Sequence, residues 1–408
     1  MDKDIKILKE LAKEYAEISQ KDVQNERRRL WAAHNAFHEV RPPIYIRHAA
    51  WLTEVVGDKL QCEDGFYRRY EYFLRCAIFH DTLDDDYIIE PWIAQKAVFD
   101  TTGEDIWGLP VKRIHTEKKS VTKYVHPIKN PEDFAKIIVP THEINWDKTN
   151  AAYDKLKDAL DGIIEVCIDT TPLLNGFYAD LSTVFGRLRG FENMLWDMVD
   201  RPEWLHEVMA FMRDGVLKVQ QEAEDAGHYT LLSNENQSMP YLEGLEPMRA
   251  NSRPVKRNEI WGFMAAQEFA GVSPQMHDEF LLQYQMPIME KYGAIAYGCC
   301  EDYTHKIDML RQVKNLRRIA VSPFAQVEKC AEQIGGQYIA SWRPSPSAMV
   351  SSGFDPAYIR KHITENIKLF QKYNCRFDIC LKDIETIQNQ PHRIVEFTKI
   401  ARELAETI

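Results

Sequence analysis

The chain of 408 residues is 45% hydrophobic and 28% charged, ordinary proportions for a globular fold long enough to bury a sizeable core. Its net charge of −11 disfavours a nucleic-acid partner, because that association draws on basic side chains. No apolar run is long enough for a membrane helix, the charged opening MDKDIKILKELAKEYAEI lacks a signal core, and eight cysteines fall short of a disulfide framework, so a reduced, cytoplasmic protein is expected.

Residues 1 to about 30 carry a helical pattern that ends in the charged run NERRRLW, and 1–40 read as a helical extension. The stretch Arg41–His48 reads as a strand entered through Pro42 and Pro43, which exclude a helix interior there. Helical texture covers 65–79, the acidic turn DTLDDD follows at 81–86, and 87–130 look irregular with short strand candidates. A helix at 150–161 leads into GIIEVCIDT, Gly162–Thr170, a continuous apolar run typical of a buried strand. Helices around 189–197 and 202–225 precede HYTLLSN, His228–Asn234, read as a strand, and then a polar loop to Asn258.

Beyond that loop the alternation is regular. A helix near 274–291 leads to GAIAYG at 293–298, a helix at 304–314 to RRIAVS at 317–322, and a helix at 324–334 to YIASW at 338–342. A helix at 355–373 leads to RFDICLK at 376–382, and a last helix starts near Pro391. Short apolar strands separated by helices call for parallel pairing. Seven strands are visible and an eighth fits the irregular stretch, so the expectation is an α/β (β/α)8 TIM barrel, one domain over 1–408 with its helical extension. The alternative, an open doubly wound sheet, lacks a GxGxxG or GxxxxGK stretch after an early strand.

In a barrel the chemistry sits beyond the carboxyl ends of the strands. Arg47 and His48 follow the first strand, Asp169 follows GIIEVCI, Asn234, Glu235 and Asn236 follow HYTLLS, and Arg343 follows YIASW. Trp342 and Arg343, with Arg47, His48 and Asn234, are candidates to line a substrate pocket. Lys382 and Asp383 close the last strand as a charged pair, and Glu268 precedes the turn GVSP as a candidate acid or base. With Asn236 these three form the candidate catalytic set.

The adjacent Cys299 and Cys300 in YGCCED admit three readings. Cys300, Glu301 and His305 could hold zinc, with Cys299 and Cys380 as further candidate ligands. One sulfur could pack as a small hydrophobe while Glu301 caps a helix. A thiolate nucleophile is the third reading. If the strand continues, period two turns the two side chains to opposite faces and only one points inward.

Four blocks carry a family likeness: Arg27–Ile46, Arg187–Met209, Gln267–Gly293, and YGCCED with the downstream CLKDIETIQNQPHRIVEF. The chain resembles the uroporphyrinogen decarboxylase superfamily, and within it the branch of bacterial proteins in which a CCE stretch recurs. The resemblance implies an eight-stranded barrel and either porphyrinogen decarboxylation or cobalamin-linked methyl transfer. Where the decarboxylase has Met-Arg-Gln-Ala-Gly-Arg this chain has Ile46 to Trp51, which keeps one arginine, Arg47, and loses the second. An eight-carboxylate porphyrinogen would be poorly served.

The methyltransferase branch implies a zinc held by a histidine, a cysteine two residues on, and a cysteine near the last strand. Cys300 matches the first cysteine, Gly298 stands at the histidine, and Cys380 lies near the second cysteine. No DxHxxG stretch is present, so a corrinoid would arrive on a separate protein. The leading expectation is zinc-assisted methyl transfer between a small methylated substrate and a corrinoid protein, by a homodimer. A metal-independent lyase of a small carboxylated ring compound, anchored by Arg47 and Lys382, is the alternative, and a non-catalytic binding protein is a third.

Overall fold

Apolar runs buried on both faces build the centre of the molecule. The computed structural model describes residues 3–103, 105–115 and 122–408. Its strands are β1 (Ile44–Ile46), β2 (Trp92–Lys96), β3 (Lys112–His115), β4 (Thr122–Val125), β5 (Glu165–Asp169), β6 (Trp261–Met264), β7 (Ala294–Tyr297), β8 (Leu316–Val321), β9 (Ile339–Trp342) and β10 (Arg376–Leu381). Six of them form one parallel sheet in the order β1-β10-β9-β8-β7-β6, so the first strand lies beside the last and the sheet curls. β2 and β5 make a separate parallel pair, and β3 and β4 an antiparallel ribbon. These last two fall in the stretch read as irregular, of which 116–121 lies outside the described residues.

The architecture is thus an α/β fold with a curled six-stranded half-barrel. An eight-stranded hydrogen-bonded closure is not formed among the described residues, because side chains satisfy both edges of the large sheet. Beside β1, the carboxylates of Asp86 and Asp85 accept from the backbone N–H groups of Ile44 and Ile46 at 2.8 Å each. Beside β6, Asn234 Oδ1 accepts from Trp261 N–H at 2.9 Å. HYTLLSN, expected as the strand on that side, forms a turn in which Ser233 N–H donates to the Thr230 carbonyl and Thr230 N–H to Ser233 Oγ. Its hydroxyls compete with a ladder for the same backbone groups.

Alternation along the strands sorts the two faces of the sheet. Trp342 and Phe377 face the Pro356–Lys372 helix, where Trp342 meets Phe370 edge-on and Phe377 stacks on the same ring. On the other face Arg318 of β8, Ser341 of β9 and Asp378 of β10 form a buried cluster. Arg318 donates to Asp378 at 2.8 Å and to Asn35 at 2.8 Å, and Ser341 donates to Asp378 at 3.0 Å. Asn35 and His34 end the Asp22–Asn35 helix, so that helix seals this inner face at depth. Two residues along β10 from Asp378 comes Cys380, and two further comes Lys382, at the open end.

The Lys3–Ser19 helix, read as part of an extension, packs into the body of the fold. Leu8, Ala12, Tyr15 and Ile18, at helical spacing, bury against Tyr67, Tyr70 and Leu74 of the Gly65–Asp81 helix and against Leu156 and Leu160. No helix among the described residues is long and apolar enough to cross a membrane.

Candidate active site

The site is made where β7 stops. Gly298 has φ +98°, a conformation costly for any residue with a Cβ, and an added Cβ would strike the Tyr303 ring and stand 3.0 Å from Ala320 Cβ. This break cancels the alternation expected after GAIAYG. Both sulfurs come to one side, with Cys299 Sγ and Cys300 Sγ 3.4 Å apart as free thiols. Gly298→Ala is therefore expected to destabilise the fold by about 2 kcal/mol and to part the sulfurs, read as a lower urea midpoint together with loss of preferential dithiol labelling.

A fixed cation serves this pair. Lys382 is 3% exposed, and its Nζ donates to Cys299 Sγ at 2.7 Å, reaches Cys300 Sγ at 3.6 Å and pairs with Asp383 at 3.0 Å. The single Cys300 thiol proton has two acceptors within reach, Asp383 Oδ2 at 3.2 Å and Cys299 Sγ at 3.4 Å. Arg343, buried beside them, donates to the Cys299 carbonyl and has no partner for its Nε. The hydrogen bond with Cys300 and the charges of Arg343 and Lys382 hold the Cys299 thiol down at about 6, against the burial that opposes it. The same bond and burial push the Cys300 thiol far up. The pair therefore titrates as a unit and holds one proton and one negative charge at neutral pH.

Of the residues nominated for zinc only Cys299 and Cys300 bring their donor atoms together. Glu301 is buried and spends both oxygens on the local backbone. Ala266 N–H donates to Oε1 at 2.5 Å, Tyr303 O–H to Oε1 at 2.8 Å, and Cys299 N–H to Oε2 at 2.6 Å. His305 is exposed, because the expected 304–314 helix is only the single turn Ile307–Leu310. Cys380 lies one inner layer below Lys382, fully buried among Trp31, Tyr45 and Tyr241, with its thiol pushed up by burial. Among the described residues no three His, Cys, Asp or Glu side chains form a metal-holding group. The Lys382 ammonium sits where Cys299, Cys300 and Asp383 converge, so these residues fit a built-in cation and do not fit a resident zinc.

Other nominated residues have local duties. Trp342 faces the helices, as alternation with the inward Arg343 requires, and does not line a pocket. Asn236 closes its own turn, accepting from Ser238 N–H at 2.9 Å and donating to the Met239 carbonyl at 3.2 Å. His48 stacks on Tyr87, and burial beside His80 pushes its pKa down to about 3. Glu268 is half-buried next to Asp180 and accepts from Ser182 at 2.8 Å, with desolvation foremost in raising its pKa. Arg47 donates to Gln237, which donates on to Glu235 at 3.1 Å.

A cavity of about 430 Å³ opens at the ends of β2 and β5, lined among others by Lys96, Asp169, Phe177, Tyr178, Asn234 and Glu235. Asn234 thus lines it while capping the sheet edge. Phe177 lines it too, and packs against the cluster that holds Cys299 and Cys300. Of these Phe177 was missed in the sequence, and Asp169 and Glu235 were strand-end residues without an assigned role. Phe177 sits in the short turn Gly176–Tyr178, away from any predicted strand end, and so gave no signal.

Fold and site together define an α/β half-barrel with a cation-backed dithiol at its strand ends. No protein-family model and no curated protein matches the chain. In structure it is similar to a methyltransferase from Methanosarcina mazei, with a TM-score of 0.54 and 11% identity over 92% of this chain and 97% of that one. At that identity the likeness is one of fold.

Proposed function

We propose that this chain is a methyltransferase that takes a methyl group from a small methylated cation onto the Cys299–Cys300 pair and passes it to a corrinoid carried by a separate protein. The observation that carries the reading is the Lys382 ammonium 2.7 Å from Cys299 Sγ, with the second sulfur 3.4 Å away. The fold shared with the Methanosarcina mazei methyltransferase supports it.

A thiolate displaces an amine or sulfide leaving neutral from a methylated cation far more readily than it displaces an amide or alkoxide anion from a neutral methylamine or methyl ether, so a methylammonium or methylsulfonium donor suits this site. The rings of Phe177 and Tyr178 and the carboxylates of Asp169 and Glu235 favour such a cation in the cavity. The sulfur electron pair forms the S–CH₃ bond as the C–N⁺ or C–S⁺ bond breaks and the amine or sulfide leaves. Lys382, Arg343 and the thiol proton then stabilise the thiolate when the methyl group moves on to the stronger corrinoid nucleophile. A thiol of low pKa gives up some attack rate and gains as a leaving group, which suits a relay.

The test is incubation of the reduced full-length protein with tetramethylammonium or trimethylsulfonium, followed by peptide mass spectrometry. One methyl group on the Tyr297–Asp302 stretch, discharged on addition of a reduced corrinoid, is the expected result. A Cys299→Ser/Cys300→Ser protein that still moves methyl groups from donor to corrinoid at the native rate would overturn the reading.

A further inference from the structure

The same pair has a second chemistry that methyl transfer does not need. We infer that Cys299 and Cys300 are a peroxide-reactive modification site, closing to a vicinal disulfide that blocks the methyl-accepting sulfur. The block rests on the function proposed above; the bridge itself does not.

The geometry supplies each participant. The sulfurs are already in contact at 3.4 Å and need approach by only about 1.4 Å to reach bonding distance. Cys299 carries the negative charge beside Lys382, and Cys300, half-exposed, gives small oxidants a way in. Asp383 is within reach of the Cys300 proton.

In the first step the thiolate attacks one oxygen of hydrogen peroxide and the O–O bond breaks. The departing hydroxide is protonated to water with Lys382 as the adjacent donor, and the sulfur is left as sulfenic acid, oxidised by two electrons as the peroxide is reduced. In the second step the Cys300 sulfur attacks the sulfenic sulfur, the S–O bond breaks, and the Cys300 proton passes by way of Asp383 to the hydroxide. The products are one disulfide and a second water.

The remaining cysteines do not share these features. Cys62, Cys76, Cys167, Cys330, Cys375 and Cys380 are buried, and burial foremost pushes every one of their thiols up, the first five to about 12. Oxidation is therefore confined to the vicinal pair. It is also reversible, since consecutive α-carbons across a trans peptide are about 3.8 Å apart, closer than the usual disulfide span, and a strained bridge is readily reduced.

The test is titration of the reduced full-length protein with hydrogen peroxide, alkylation of the remaining thiols, and peptide mapping. The expected product has one bridge between Cys299 and Cys300, six alkylated cysteines, and full reversal by dithiothreitol. Cys300→Ser is expected to stop at a Cys299 sulfenic acid that dimedone captures. Oxidation scattered over the other cysteines, or no bridge, would overturn the inference whether or not the reduced protein takes up methyl groups. Methyl uptake by the bridged protein would overturn the block. A reduced protein that bridges cleanly but never accepts a methyl group would leave the modification standing and count against the transfer reading alone.

Discussion

Cys300→Ala is expected to slow alkylation of Cys299 by up to about tenfold at pH 6 and to speed it above pH 9. In the native pair the reactivity rises with pH through about 6, because the Cys300 thiol donates to Cys299 and Arg343 and Lys382 add their charges. Without that donor the midpoint climbs toward the ordinary thiol value of about 8.5. At pH 6 the thiolate fraction then falls from about one half to below about 1%. The loss of rate is smaller than the loss of thiolate, since a Brønsted slope of about 0.45 makes the more basic sulfur about ten times more nucleophilic. The two curves must cross, and the crossing is what a purely structural role for Cys300 would not produce. Iodoacetamide labelling followed peptide by peptide from pH 5 to 10 measures it. A variant with the native midpoint would show that Lys382 and Arg343 alone set the charge, in which case Lys382→Met, and not Cys300→Ala, moves the profile.

How much of this was legible depends on what each element rests on. β7 to β10 announced themselves because each is a mostly apolar run set between helical stretches, even where Arg318, Ser341 and Asp378 interrupt it. β6, the run WGFM, escaped notice because it holds Gly262 and follows a long polar loop, and that glycine is required since a Cβ there would stand 2.6 Å from the Tyr292 ring. The opposite error at HYTLLSN has a matching cause, since an apolar core flanked by Thr230 and Ser233 reads as a strand while the hydroxyls tie a turn. At the site, alternation placed Lys382 and Asp383 at the open end but could not bring them to the thiols, which needs the curl of a sheet in which β9 and β8 lie between β10 and β7. Alternation failed at the cysteines themselves, where Gly298 ends it. A glycine between a strand and two cysteines was the clue to that turn. Glu301 was read as a ligand because a carboxylate beside thiols invites a metal, whereas the backbone N–H groups left open by the turn claim it first.

That competition sets the last expected result. Glu301→Gln is expected to cost about 3 kcal/mol, seen as a lower urea midpoint at unchanged slope. Glu301 accepts from the backbone of Ala266 and Cys299 and from Tyr303, all buried. A glutamine side chain offers one accepting oxygen and turns an NH₂ group toward a backbone N–H, so at least one buried donor loses its partner at about 1–3 kcal/mol and the two opposed donors repel. The volume hardly changes, so the cost is electrostatic and not a cavity. Cys299 N–H is one of the donors released, hence the same substitution loosens the backbone that presents the sulfurs and weakens preferential labelling of the pair. A metal ligand would behave differently: its loss would lower bound zinc while leaving the zinc-free protein as stable as before. Metal analysis and denaturation on the same preparations separate the two. Stability retained with zinc lost would return Glu301 to the ligand role and take away the argument that Lys382 is the cation of this site.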